Sequence, residues 1–143
     1  MSRSTAWWVA ATIFGAVFLY LSLQEGVYDF SVGLIAGPFH IYPRKIMATL
    51  SFSILSYCVA RAVQGEGEPV SWTVPVTAGT LFSTCIEIAQ HYWEVLLDRP
   101  IEPRIWNLID IGTGAVGGLL AAAALAWTRR RAERAPRGEH GGS

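Results

Sequence analysis

The chain has 143 residues, 52% hydrophobic and only 15% charged, with 11 basic side chains balancing 11 acidic ones. A soluble domain carries about a quarter charged residues, so the composition argues for a membrane protein. The balanced charge offers no basic excess for a nucleic-acid partner.

A helix needs about 20 mostly apolar residues to cross about 30 Å of hydrocarbon, and four stretches qualify. The first is "TAWWVAATIFGAVFLYLSLQ" (5–24). It is longer than the apolar region of a signal peptide, and no small-x-small pattern follows at "SLQEG", so it reads as a retained span. The connection at 25–44 is half apolar and broken by Gly26, Gly33, Gly37, Pro38 and Pro43. It reads as a segment lying in the interface or dipping partly into the bundle, either a lid or a plain connector, with His40 and Tyr42 placed to line the mouth of a polar cavity.

The second span is 45–63, and the third, 70–97, tolerates Pro75 one turn inside its start. The fourth is "IWNLIDIGTGAVGGLLAAAALAW" (105–127), in which Gly112, Gly114, Gly117 and Gly118 form a small-residue face that lets helices approach closely. That face serves either packing within the bundle or association with another chain. Residues 129–143 read as a basic, disordered tail whose "RRRAER" run is either a topology anchor or a contact for anionic headgroups. Trp7, Trp8, Trp72, Trp93, Trp106 and Trp127 fall near span ends, where aromatic rings prefer the interface.

The expected architecture is thus an all-α integral membrane protein, a single four-span helix bundle over 1–128. Both termini and the 61–69 loop share one side. The basic residues there, Arg3, Arg61, Arg129, Arg130, Arg131, Arg134 and Arg137, outnumber Arg44, Lys45, Arg99 and Arg104 opposite, which puts both ends in the cytoplasm. Cys58 and Cys85 lie at different depths and are expected to be free, buried thiols. With no CxxC and no Cys/His pair at ligand spacing, neither a metal nor another cofactor is expected.

The third span carries Glu87, Gln90, His91 and Glu94 at helical spacing on one face. Because consecutive spans alternate in direction, Lys45, Glu87, Gln90, His91, Arg104 and Asp110 all fall at the outer level. A carboxylate in hydrocarbon costs about 2.5–3.5 kcal/mol, so Glu87 and Asp110 should turn inward toward partners such as Lys45 and Arg104. These six residues form a candidate ligand site for an amphiphile with a polar head, or else a network that only fixes helix register. Glu94, Asp98, Arg99 and Glu102 read as a solvated rim.

"IEIAQ" followed by "PRIWNLIDIGTGAVGGLL" resembles the VanZ-like membrane proteins, whose pattern falls here on Glu87, Gln90, Arg104, Asp110 and Gly117, with Lys45 in their opening segment. The likeness covers roughly 44–123. This chain has Ala48 where family members usually have His, and Gly114 where they have Asn. The resemblance implies a protein of the bacterial cytoplasmic membrane with a polar outer-leaflet site, and it supplies no reaction.

Two functions from different classes follow. One is non-enzymatic binding of membrane lipid or a lipid-linked envelope molecule at the polar cluster. The other is an accessory subunit docking onto a larger membrane complex through the glycine-rich fourth helix or its aromatic faces. A third reading has Glu87 and Asp110 doing acid–base work on a lipid headgroup, although no Ser/His/Asp set or phosphate-binding loop supports it.

Overall fold

A computed structural model describes residues 2–24, 41–64, 71–98 and 104–134, the side chains at 41 and 104–106 excepted. Among the described residues the fold is four helices, α1 Arg3–Ser22, α2 Ile41–Gln64, α3 Thr73–Leu96 and α4 Arg104–Arg134. Expectations for His40, Arg99, Glu102 and most of the 25–44 connection fall outside them.

Each helix has a local cause. The Ser2 hydroxyl caps α1, accepting the Thr5 amide at 3.1 Å. Pro43 sits in the first turn of α2, where its missing N–H breaks no helical bond, so the helix starts four residues ahead of the expected span. Pro75 does the same for α3. That helix stops where Asp98 adopts φ 52°, a left-handed conformation that Asp tolerates. At the other end, the Gln64 side chain donates to the Ser71 carbonyl at 2.8 Å and ties the end of α2 to the start of α3.

Three helices are long and apolar enough to cross a membrane, at Arg3–Ser22, Tyr42–Gln64 and Asn107–Arg134. The surface agrees with that solvent: Trp8, Ile13, Tyr20, Met47, Leu50, Leu81, Ile88, Val116 and Leu119 are all exposed, far more apolar surface than water tolerates. Several threonine hydroxyls bond back one turn, as with Thr12 to the Trp8 carbonyl at 2.9 Å and Thr84 to Thr80 at 2.8 Å. No polar hydrogen of these groups is left to face lipid. α3 is also 24 residues long, but its polar stripe from Glu87 to Glu94 dilutes its apolar character.

Contacts along the helices run antiparallel between neighbours in the chain. α2, α3 and α4 pack on one another, and α1 lies mainly on α2. The glycine face of α4 is spent inside this bundle. A Cβ at Gly114 would stand 2.5 Å from the Gly79 carbonyl oxygen and the Ser83 Cβ. One at Gly118 would stand 2.5 Å from the Pro75 oxygen and the Val76 Cα, and one at Gly117 2.7 Å from the Phe52 Cβ. Such backbone contact is how helices gain dispersion energy in lipid. Gly112 corrects the expectation, since nothing lies within 4 Å of its would-be Cβ; at about 100° per residue it is on the opposite side of α4.

The α1 side of the bundle is closed by aromatic rings. Phe18, Phe52 and Phe82, from α1, α2 and α3, stand 5.2–6.4 Å apart. Near the chain's N-terminus, Trp7 meets Tyr57 edge-on at 5.8 Å and lies under the Arg61 guanidinium. The Ser4 hydroxyl donates there to the Ala62 carbonyl at 2.8 Å.

Two further expectations change. Both cysteines are free, but only Cys58 is buried; Cys85 is exposed, two residues past the buried Ser83 and so rotated off the packing face of α3. The stretch 129–134, read as disordered, is helical. Arginine and alanine favour helix, the Arg129–Glu133 pair bridges one turn at 2.8 Å, and the cations suit a helix C-terminus.

Candidate functional site

Asp110 lies in the second turn of α4, about 9 Å along it, and Lys45 about 6 Å along α2. Because the two helices run parallel with their first turns level, the ammonium reaches across and pairs with the Asp110 carboxylate. Two further bonds fix the frame. The Ser83 hydroxyl of α3 donates to the Asp110 backbone carbonyl at 2.7 Å, and Thr49 donates to the Lys45 carbonyl at 2.7 Å. α2, α3 and α4 therefore meet at one level through polar atoms.

The pair is not sealed, since its side chains keep 28% and 24% of their surface open. Beside it runs a groove of about 290 Å³, lined by Tyr42, Lys45, Ile46, Thr49, Leu50 and Leu120. Its upper end carries a phenol and the ammonium, and its lower wall is aliphatic. Charge sits at one end and hydrocarbon at the other, which is the layout of an amphiphile.

The remaining candidates divide. Glu87 is half-buried, one turn beyond Ser83 on the same face of α3. Gln90 turns to α1 instead, donating to the Ser22 carbonyl at 3.0 Å. It thereby satisfies a carbonyl of the last turn, which has no partner in its own helix. His91 does not join the cluster: it is exposed and meets the Tyr92 ring at 6.0 Å. One residue past Gln90 means about 100° of rotation, enough to point it away from the bundle. Glu94 is half-buried and Asp98 exposed. The Arg104 side chain lies outside the described residues.

The chain matches no protein-family model, no curated protein and no solved structure.

Ser83, Ser22 and Thr49 were missed by sequence reasoning. Ser83 had a signal, since it stands one turn before Glu87 and extends the same stripe. Ser22 had none, because it acts through its backbone. Among the described residues no group of three or more His, Cys, Asp or Glu side chains comes together that could hold a metal ion.

Proposed function

We propose that the chain is a non-enzymatic protein of the bacterial cytoplasmic membrane that binds an amphiphile, either a membrane lipid or a lipid-linked envelope molecule, in the groove between α2 and α4. The observation that carries this reading is the open groove lined at one end by Lys45, whose ammonium is paired with Asp110. A headgroup with a phosphate or hydroxyls finds the Lys45 ammonium and the Tyr42 phenol at one end, and one acyl or polyprenyl chain finds Ile46, Leu50 and Leu120 below. In this reading α3 is the fourth span. It runs antiparallel to α4 against the glycine face, and its polar stripe is turned partly into the bundle. Both termini are cytoplasmic. The kinship with VanZ-like proteins belongs to the same proposal and rests on Lys45, Glu87, Gln90, Arg104 and Asp110.

The test is a native mass spectrum of the full chain extracted gently from its membrane, beside Leu50→Trp, which fills the groove, and Lys45→Met/Asp110→Asn, which removes the pair. A retained amphiphile that is lost from both folded variants supports the reading. A larger protein assembly that survives both changes, with no small mass attached, would replace it with the accessory-subunit reading.

A further inference from the structure

The opposite end of α4 carries a second surface. Trp127, Arg130, Arg131 and Arg134 stand at i, i+3, i+4 and i+7, which is one helix face, and all four are exposed. The packing face of α4 is carried by Gly114, Gly117, Gly118, Ala121, Ala122 and Leu125. At about 100° per residue, the tryptophan and the three arginines lie about 160° around the helix from it. They continue the exposed stripe of Val116 and Leu119. Along this one face the residues run from aliphatic to indole to guanidinium.

Depth agrees with that sequence of chemistries. Trp127 is about 35 Å along α4 from Arg104, just beyond about 30 Å of hydrocarbon. The next two turns then lie at headgroup level. The Arg131 guanidinium stacks 3.8 Å from the centre of the Trp127 ring, an arrangement that holds the cation in place while its in-plane N–H donors stay available to a phosphate. The stretch's one acid, Glu133, is off this face and engaged by Arg129 at 2.8 Å. The outward stripe therefore presents cations alone.

We propose, on the membrane-spanning reading and independently of the groove, that this stripe is a binding surface for anionic phospholipid headgroups. Trp127 seats at the glycerol level, and Arg130, Arg131 and Arg134 hold the phosphates. An acidic protein segment would need no apolar run leading into the same face, whereas a lipid supplies chain, glycerol and phosphate in that order.

The experiment uses the full chain in nanodiscs of equal phosphatidylglycerol and phosphatidylcholine, reading by native mass spectrometry which lipid class stays bound. The wild type should retain phosphatidylglycerol in excess. Neutralising Arg130, Arg131 and Arg134 to Gln should lower that preference, about five-fold for each arginine. The off-face variant Arg129→Gln/Glu133→Gln should leave it unchanged. Raising salt from 0.05 to 0.5 M, here chosen to shorten the screening length by about a factor of three, should weaken it in the unmutated protein, so a misfolded triple variant does not end the test. Equal retention of both lipids, a salt-independent preference, or an equal loss in the off-face variant would each overturn the assignment. The drop on neutralising the three arginines should persist in a Lys45→Met/Asp110→Asn background, where the groove has lost its pair, which separates failure here from failure of the groove reading.

Discussion

Lys45→Met should destabilise the protein more than Asp110→Asn, and the two together should cost less than their sum. Without the ammonium, a carboxylate is left about 9 Å inside α4. Insertion of such a group costs about 2.5–3.5 kcal/mol; the side chain's 24% exposure relieves part of this, leaving about 2 kcal/mol. Asp110→Asn leaves a lysine whose long stem can carry its charge to the boundary about 6 Å away, at about 1 kcal/mol. The double variant holds neither charge and should cost about 1 kcal/mol, a coupling of about 2 kcal/mol. The Ser83 bond to the Asp110 carbonyl uses backbone and survives all three changes, so the helices keep their register through the cycle. Equilibrium unfolding in mixed micelles, followed by circular dichroism, measures each term. Additivity within about 0.5 kcal/mol, or a costlier Asp110→Asn, would refute the reasoning.

Gly114→Val and Gly118→Val should each destabilise by about 2–3 kcal/mol in the same unfolding assay, because the new Cβ lands on the backbone of α3. Gly112→Val meets open space and should cost less than about 1 kcal/mol, or even stabilise by favouring helix. The Ser56 hydroxyl is fully buried with no hydrogen-bond partner, so Ser56→Ala should be neutral or raise stability by about 1 kcal/mol; a clear loss would mean the hydroxyl is satisfied. In detergent, N-ethylmaleimide followed by intact mass should modify the exposed Cys85 before the buried Cys58, with Cys58 reacting only as the bundle opens.

The helices were legible because each is a run of apolar residues between glycine, proline or charge. The Lys45–Asp110 pair was legible for a different reason. Alternating spans force the starts of α2 and α4 to one level, and a buried carboxylate must find a cation. Rotation was harder to read. Gly112 and Cys85 belong to the expected segments but lie on the outward sides of their helices, and composition does not mark a side. His91 misled because a stripe at positions three and four apart spreads over about 100°, and only one of its edges faces the bundle. The bond from Gln90 to Ser22 could not be read at all, since a free carbonyl at a helix end has no sequence signature. The extension of α4 to Arg134 was hidden by charge. Arginines look like a solvated tail, yet their helix propensity and one i,i+4 pair continue the helix.

The glycine face bears on how a partner protein would have to bind. Gly114, Gly117 and Gly118 already touch the backbones of α2 and α3, so they cannot also seat a helix of another chain. A variant such as Gly114→Leu would lose any partner simply by disrupting the bundle, and its result would say nothing about docking. A helix docked on α4 would have to lie on its outward face, where Leu108, Val116 and Leu119 are exposed. Those side chains offer bulk but no close backbone approach, and in lipid bulk alone gives little association, because acyl chains solvate leucine as well as a neighbouring helix does. Val116→Ala and Leu119→Ala therefore separate the cases. Loss of a copurifying protein while the fold and groove remain intact would favour an accessory subunit. An unchanged, lipid-bearing monomer would speak against docking on this face, and the groove and arginine variants would then assign the lipid to one end of the bundle or the other.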